Sequence, residues 1–244
     1  MKFSNWKAPG NDGIANFLIK NLTSVHNELT TAYDGVLKHP ENAPDWLTDG
    51  LTYLPPKTGE TKNPKNYRPI TCLPTMYQIL TSILTERTYT FLDENELLPT
   101  EQKGCKRGSY GCKDQLLINK MILENSRRNK RKLSSAWIDY KKAFNSVPHS
   151  WIIKCLKMFK INPTVVNLIT ASMKKWKTTL HLNRSNGTMK SRKININSGI
   201  FQGHSLSPLL FCLVLAPLSS LLNSKKHGYE IKKGKLIIFS TWIT

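Results

Sequence analysis

The sequence predicts an α+β fold, because stretches with helical spacing of apolar residues alternate with short extended stretches along the 244 residues. Residues 75–95 repeat apolar side chains on one helical face, and residues 208–222 are apolar almost throughout. Two extended stretches flank Asn186-Gly187, a residue pair that tight β-hairpins favour. With 39% hydrophobic residues, a chain of this length can bury a core.

The charge of the chain is strongly positive and unevenly distributed. Lysine and arginine number 36 against 16 aspartate and glutamate residues, a net charge of +20. Residues 140–244 carry 17 of the basic residues and a single acidic residue, Glu230. The hydrophobic content is that of a folded basic domain rather than a disordered tail, and the simplest partner is a polyanion, most commonly nucleic acid.

Cysteine usage and the N-terminal residues predict an intracellular protein, in the cytoplasm or the nucleus. The five cysteines form no CxxC pair and no Cys/His group with zinc spacing, which favours reduced thiols. Residues 1–10 lack the apolar core of a secretory signal. Residues 206–222 are apolar enough for a membrane span, but Pro208, Pro217 and three serines interrupt them, so we predict a buried core helix and no membrane partner.

The first elements of the chain are predicted to be a helix and two extended segments. Apolar residues recur at helical spacing over residues 17–37, and a His-Pro pair ends that helix. Residues 46–54 alternate loosely and predict a strand. Residues 58–66 suit a hairpin tip, and residues 67–70 resume an extended segment before the helix of residues 75–95.

A glycine-bearing basic loop, residues 104–111, precedes the next helix. Such a loop could approach a phosphate backbone closely or could serve as a plain connector. The helix is predicted over residues 112–130, and its basic end, residues 127–132, could contact nucleic acid or simply complement the helix dipole. The inward residues of this helix are predicted to be Leu116, Leu117, Ile122 and Leu123.

The central stretch, residues 134–149, is organised around one carboxylate. Its apolar start predicts a strand that ends at Asp139, which is the last aspartate in the chain. A helix is predicted to follow, with Ser146 as its N-cap and Pro148 in its first turn. The face of that helix is predicted to consist of Ile152, Cys155, Leu156 and Phe159.

The remaining elements are a helix, a hairpin and the apolar helix. Residues 164–175 predict a helix, and the extended residues 178–183 and 189–197 predict a hairpin with one basic face. Residues 198–208 form a turn that leads into the apolar helix.

Four sequence blocks, in order, resemble the reverse transcriptases of non-LTR retrotransposons. The first two are Lys7-Ala8-Pro9-Gly10-Asn11-Asp12-Gly13-Ile14, and Leu54-Pro55-Pro56-Lys57 followed by Asn66-Tyr67-Arg68-Pro69-Ile70. The third is Trp137-Ile138-Asp139-Tyr140-Lys141-Lys142-Ala143-Phe144. The fourth is Gly199-Ile200-Phe201-Gln202-Gly203 with Leu206-Ser207-Pro208-Leu209-Leu210-Phe211. Because the blocks keep their order, the set is more specific than any one of them.

The resemblance implies an incomplete right-hand polymerase fold, with fingers, a partial palm and no thumb. Residues 1–50 would be an N-terminal extension with a fingers helix, and residues 51–132 the fingers. Residues 133–147 would contain the palm strand with the first catalytic aspartate. Residues 148–198 would be a fingers/palm insertion with a basic hairpin, and residues 199–244 a truncated palm.

The resemblance also implies site residues. Asp139 would be the catalytic, metal-binding aspartate, assisted by the main-chain carbonyl of Tyr140. Phe144 would lie under the incoming sugar and exclude a 2′-hydroxyl. Residues implied to bind the nucleotide are Lys57, Arg68, Tyr140, Phe144, Gln202 and Gly203. Taken singly, these positions also fit ordinary surface charges, a core phenylalanine and a turn.

The family resemblance implies Mg²⁺ as cofactor, with an RNA template, a DNA primer and deoxynucleoside triphosphates as partners. Three departures predict that this chain is inactive as a polymerase: Asn145 and His204 stand where the family usually has aspartate, and no acidic pair follows residue 235. Each Mg²⁺ needs several oxygen ligands in near-octahedral array, so Asp139 alone is insufficient. The sequence therefore predicts a reverse transcriptase fragment, truncated before the double-aspartate hairpin.

The alternative interpretation is a non-catalytic basic remnant that binds RNA or DNA. Its affinity would depend steeply on salt, because basic side chains displace counterions from the phosphate backbone. The predicted nucleic-acid contacts in either case are Lys174, Lys175, Lys177, Lys190, Arg192 and Lys193.

Overall fold

Helices and strands interleave along the chain, which agrees with the predicted α+β class. The computed structural model describes residues 4–57, 63, 66–104, 107–184, 187–225, 228–231 and 234–236. The α-helices are α1 Asn16–Asn21, α2 His26–Lys38, α3 Thr75–Glu94, α4 Cys112–Arg128, α5 His149–Met158, α6 Pro163–Lys175 and α7 Leu206–Ser224. The strands are β1 Asp49–Tyr53, β2 Ile70–Cys72, β3 Lys177–Arg184, β4 Gly187–Lys190, β5 Ile194–Asn195, β6 Tyr229–Ile231 and β7 Gly234–Leu236.

The main sheet joins two distant parts of the chain. Its order is β2-β1-β3-β4, and β5 pairs with β3. Strand β1 runs antiparallel to β2, with Leu51 opposite Cys72, and parallel to β3, with Asp49 opposite Lys177. Strands β3 and β4 are antiparallel neighbours, which confirms the hairpin predicted around Asn186-Gly187. Strands β6 and β7 form a separate two-stranded sheet.

Three buried threonines cross this sheet from strand to strand. The Thr52 Oγ1 atom on β1 lies 2.8 Å from Thr71 Oγ1 on β2 and 2.6 Å from Thr178 Oγ1 on β3. Thr178 Oγ1 also donates to the Gly50 carbonyl at 3.1 Å. The hydroxyls therefore satisfy one another inside the fold, where an unpaired one would cost free energy.

Helix α7 lies at the centre of the hydrophobic core. Its Leu209, Leu210 and Cys212 side chains are fully buried, and the helix packs against α3 and α5. By length and composition α7 could cross a membrane, but most of its residues are covered by the rest of the fold. This packing is that of a core helix, as the interrupting prolines and serines suggested.

Trp176 joins the core to the sheet. It is 1% exposed and lies between the end of α6 and the start of β3. Its ring packs against Phe201 at a centroid distance of 4.9 Å and against His149 at 5.4 Å. Its indole N–H donates to Tyr77 Oη at 3.4 Å. One aromatic side chain thus contacts α3, α5 and the turn before α7.

The strand predicted to end at Asp139 is absent, and that prediction is wrong for this structure. Residues 131–140 are irregular, and Trp137 and Ile138 are 69% and 66% exposed. A strand is stable only when a neighbouring strand satisfies its backbone groups, and no described strand pairs with this segment. An apolar run alone is therefore insufficient to make a strand.

Two local predictions about helices are also wrong. Ser146 does not cap α5. It lies in a 3₁₀ turn, Ala143–Ser146, where its hydroxyl donates to the Ala143 carbonyl, and α5 begins at His149 after Pro148. Helix α4 forms where predicted and Ile122 is buried as predicted, but its other buried residues are Gln115 and Ser126 rather than the predicted leucines. The exposed residues of α4 include Leu116, Leu117, Met121 and Leu123.

Other predictions concern residues that the structure does not describe. Most of the hairpin tip predicted at residues 58–66 and all of residues 237–244 lie outside the described residues. The division into fingers, palm and insertion, and the absence of a thumb, stay predictions. Cys72 and Cys155 are free thiols, and the Cys212 thiol donates to the Gly104 carbonyl at 3.3 Å.

Candidate functional site

The turn before α7 is joined to the block that follows Asp139. The Gly199 amide donates to the Val147 carbonyl at 2.7 Å, and the Ile200 amide donates to the Phe144 carbonyl at 2.8 Å. Gly199 has a φ of +91°, and a Cβ there would lie 2.8 Å from Asn145 Cα. Only glycine fits this close backbone approach. The third and fourth sequence blocks therefore meet in space.

The same turn is also joined to β2. The Thr71 amide donates to the Gln202 carbonyl at 3.0 Å. Gly203 has a φ of +121°, and a Cβ there would lie 2.7 Å from the Thr71 carbonyl oxygen. Gln202 and Gly203 thus lie against the strand that begins directly after Arg68 and Pro69.

Lys57 and Arg68 lie on paired backbone segments. The Lys57 amide donates to the Asn66 carbonyl at 2.6 Å, and the Arg68 amide donates to the Pro55 carbonyl at 2.9 Å. These bonds extend the β1-β2 pairing beyond the strands and carry both cations at one end of the sheet. Both side chains are exposed, as binding to a phosphate requires.

Lys7, in the first sequence block, also contacts the turn before α7. The sequence patterns did not identify Lys7 as a site residue. Lys7 Nζ donates to Gln78 Oε1 at 3.2 Å and to the Gly203 carbonyl at 3.4 Å. Gly10 packs against the backbone at Leu73, where a Cβ would lie 2.4 Å from the Leu73 carbonyl carbon. The motif contained Lys7, but sequence reasoning had no means of finding its partners 71 and 196 positions away.

His204 is buried beside this turn, at a position where an aspartate was expected. It is 4% exposed, and its Nδ1 atom accepts the Leu206 amide at 3.1 Å. The ring meets Tyr77 and Trp176 edge-on, and no described residue pairs with its buried Nε2 atom. Burial, with a smaller effect of the Lys7 charge, lowers the pKa of His204 to about 3. A neutral histidine therefore fixes the start of α7.

Among the described residues, neither Asp139 nor Tyr140 forms a hydrogen bond with this junction. Both are exposed in the irregular segment, and the Asp139 side chain makes no hydrogen bond or ion pair with a described residue. Among the residues that the structure describes, no group of three or more His, Cys, Asp or Glu side chains could hold a metal ion. The donor set at Asp139 does not fit Mg²⁺, which needs several oxygen ligands.

Phe144 is a core residue in this structure. It is 8% exposed and stacks on Phe211 of α7, with ring centroids 4.7 Å apart and planes inclined by 24°. The ring therefore packs against α7 inside the core, while the Phe144 carbonyl accepts the Ile200 amide. This position agrees with the alternative interpretation, in which Phe144 is an ordinary core phenylalanine.

The six basic residues predicted to contact nucleic acid divide into two groups. Lys175 donates to the Glu41 and Ala43 carbonyls and lies near Asp45, and Lys177 pairs with Asp45 at 3.4 Å. Lys193 pairs with the buried Asp49 at 2.5 Å, and this contact raises the pKa of Lys193. These three cations have structural partners. The exposed cations without a side-chain partner among the described residues are Lys174, Lys190 and Arg192.

The Arg107 side chain, in the basic glycine loop, binds two residues of α3. Its two terminal nitrogens donate to the two Glu86 carboxylate oxygens, each at 2.7 Å. Its guanidinium lies 4.5 Å from the centre of the Tyr89 ring. Gly108 and Gly111 adopt positive φ angles, as turns require. The described part of the loop thus acts as a connector anchored to α3.

Comparison with known proteins identifies similar sequences. The family described as "Reverse transcriptase (RNA-dependent DNA polymerase)" matches residues 55–239. The "Retrovirus-related Pol polyprotein from type-1 retrotransposable element R2" of Popillia japonica is 35% identical over 225 residues, covering 90% of this chain and 29% of the relative. The protein of the same description from Nasonia vitripennis is 30% identical over 199 residues, covering 81% and 18%.

A more distant relative is the "Transposon TX1 uncharacterized 149 kDa protein" of Xenopus laevis. It is 26% identical over 232 residues, covering 93% of this chain and 17% of the relative. The chain thus spans less than a third of the length of these curated relatives.

Proposed function

Since the chain belongs to the reverse transcriptase family and is related to non-LTR retrotransposon enzymes, we propose that it forms the nucleotide-binding framework of an RNA-directed DNA polymerase. Its substrates would be deoxynucleoside triphosphates, an RNA template and a DNA primer. The observation that supports this most is the junction of the sequence blocks, in which the Gln202-Gly203 turn lies against β2 beyond Lys57 and Arg68.

The residues of the junction match the needs of phosphoryl transfer. A triphosphate and its leaving pyrophosphate carry negative charge, which exposed cations such as Lys57 and Arg68 neutralise. Gly203 has no side chain and is exposed, so its backbone can approach a nucleotide or template closely. In this proposal Gln202 and Gly203 line the pocket, and Asp139 and Tyr140 belong to the neighbouring catalytic segment.

We further propose that this chain does not polymerise by itself. Asp139 is exposed, and the residues described by the structure offer it no set of additional oxygen ligands for a divalent cation. The test is primer extension with the purified chain, an RNA template and Mg²⁺, alongside the Asp139→Ala variant. We expect both proteins to stay at background. Robust deoxynucleotide incorporation that Asp139→Ala abolishes would overturn this part of the proposal.

A second function, binding of RNA or DNA without catalysis, is favoured by the exposed Lys174, Lys190 and Arg192. The test is a titration of single-stranded RNA and of duplex DNA at several salt concentrations. Because each neutralised phosphate contributes about 0.7 to the salt slope on a single strand, replacing Lys190 and Arg192 by alanine should lower that slope by about 1.4. Lys120→Ala is the matched control, since Lys120 is an exposed lysine of α4. No affinity at low salt would contradict both functions.

A further inference from the structure

Lys7 bridges helix α3 and the turn before α7, which meet at the edge of the proposed pocket. Its ammonium donates to Gln78 Oε1 on α3 and to the Gly203 carbonyl in the turn. Gln78 is 4% exposed, and its own amide group donates to the Leu73 carbonyl at 2.6 Å. The orientation of Gln78 is therefore fixed, so that its oxygen points to Lys7.

The turn on the Gly203 side of this contact is also held by other residues. The turn is held through Gln202 by the Thr71 amide and through Phe201 by the Ser207 hydroxyl. Gly203 itself packs against the Thr71 carbonyl, in a conformation with positive φ. The Lys7 hydrogen bond is the one that orients the Gly203 carbonyl among the contacts of the described residues.

The two acceptors of the Lys7 ammonium, Gln78 Oε1 and the Gly203 carbonyl, are neutral. Lys7 therefore forms no ion pair with a described residue. The Lys7 charge nevertheless affects two neighbouring groups. It contributes to the lowered pKa of His204, and it partly offsets the rise in the pKa of Cys72 that burial causes. A cation without a carboxylate partner, next to a glycine turn, raises the local affinity for anions.

We propose that Lys7 is a positioning residue that holds the Gln202-Gly203 turn in the conformation that receives a nucleoside triphosphate. This inference rests on the proposed function, because it assigns the turn to the nucleotide pocket. It predicts that Lys7 controls both the stability of the turn and the affinity for the triphosphate.

The experiment compares Lys7→Gln, Lys7→Arg and the control Lys20→Gln. Lys20 is a second, half-buried lysine near the N-terminus, and its Nζ donates to Asn5 Oδ1 at 2.8 Å. Hydrogen exchange followed by mass spectrometry reports on peptides covering residues 68–74 and 200–206. Equilibrium titration with a fluorescent deoxyguanosine triphosphate and Mg²⁺ reports on nucleotide affinity, and circular dichroism checks that each variant is folded.

We expect Lys7→Gln to speed exchange in both peptides and to weaken triphosphate binding by about fivefold to tenfold, because a charge-assisted hydrogen bond is lost. Lys7→Arg should restore most of both properties, and Lys20→Gln should change neither. Unchanged exchange at residues 68–74 and 200–206 in a folded Lys7→Gln variant would overturn the inference. Faster exchange together with no triphosphate binding by the unaltered chain would uphold the role of Lys7 in the turn and overturn the proposed function instead.

Discussion

The junction around residues 199–204 and the segment of residues 132–141 carry the two parts of the proposed site, and they are built very differently. The junction is held by backbone hydrogen bonds to Val147, Phe144 and Thr71, and glycines allow the chains to touch. Residues 132–141 form no hydrogen bond within the described part of the chain, and Trp137 is 69% exposed. The junction, which is the proposed framework for the nucleotide, is therefore fixed by its own contacts, whereas the segment of residues 132–141 is not.

The sequence blocks of this chain thus depend on different stabilising contacts. Gly199 and Gly203 act through backbone packing that the described residues complete by themselves. In its proposed role Asp139 would need further oxygen ligands for a metal ion, and the described residues supply no such group and no strand paired with its segment. The following predictions test this contrast, beginning with the largest effect.

Gly199→Ala should give the largest loss of stability. The new Cβ would meet three backbone atoms of Asn145 within 3.0 Å, and the positive φ is unfavourable for alanine. We expect a loss of about 3–4 kcal/mol in the free energy of unfolding, measured with urea. Gly35→Ala is the control, because nothing lies within 4 Å of a Cβ there and alanine favours the helix. Equal stability of the two variants would show that the junction is loose.

His204 should make stability depend on pH. The folded protein keeps His204 neutral down to a pKa of about 3, whereas the unfolded chain takes up a proton near pH 6.5. Below pH 6.5 the unfolded state binds more protons, so stability falls by about 1.4 kcal/mol per pH unit and by about 2 kcal/mol at pH 5.

His204→Asn should reduce this slope, because an Asn side chain can accept the Leu206 amide without titrating. Urea unfolding at pH 7, 6 and 5 measures it, with His39→Asn as the control at an exposed histidine. A slope that survives in His204→Asn would place the titrating group elsewhere.

Lys193→Met should cost a smaller amount of stability. It removes the cation from the Asp49 carboxylate, which is buried, and whose Oδ1 atom already lacks a partner among the described residues. The expected loss is about 1–2 kcal/mol, since Lys193 itself is well exposed. Lys190→Met, at an exposed lysine on β4, should stay within about 0.5 kcal/mol. Similar losses in both would mean that the pair with Asp49 contributes nothing.

Asp139→Asn and Trp137→Ser should have the smallest effects. Both side chains are exposed, and neither forms a hydrogen bond with a described residue. We expect changes within about 0.5 kcal/mol in the same urea measurement. A loss of more than about 1.5 kcal/mol in Trp137→Ser would show that residues 132–141 pack onto the protein in solution, and the contrast with the junction would then weaken.

Local patterns in the sequence were enough to predict much of the fold. The helices α3, α6 and α7 and the hairpin of β3 and β4 follow from apolar periodicity and from an Asn-Gly turn. The cap of α5 was mispredicted because Ser146 finds an acceptor one turn earlier, at Ala143. The exposure of Leu116 and Leu117 on α4 could not be predicted, because periodicity identifies apolar faces but not what covers them.

At the candidate site, the sequence identified the residues of the four blocks but not the side chains that contact them. Gln202 and Gly203 lie against the strand after Arg68, and their role in a nucleotide pocket stays a prediction. The contact of Lys7 with Gly203 and the partners of Lys175 and Lys193 depend on tertiary folding over long sequence separations. A single sequence carries no direct signal for such contacts, so half of the cations predicted to be free for nucleic acid proved to be engaged.

The threonine hydroxyls that cross the main sheet have a consequence for how its strands align. Thr52, Thr71 and Thr178 meet only when the three strands are in their observed register. A slip by one residue would turn each hydroxyl to the opposite face and leave its former partners unsatisfied. Hydrogen bonding between side chains thus selects a single alignment among those that the backbone alone would accept.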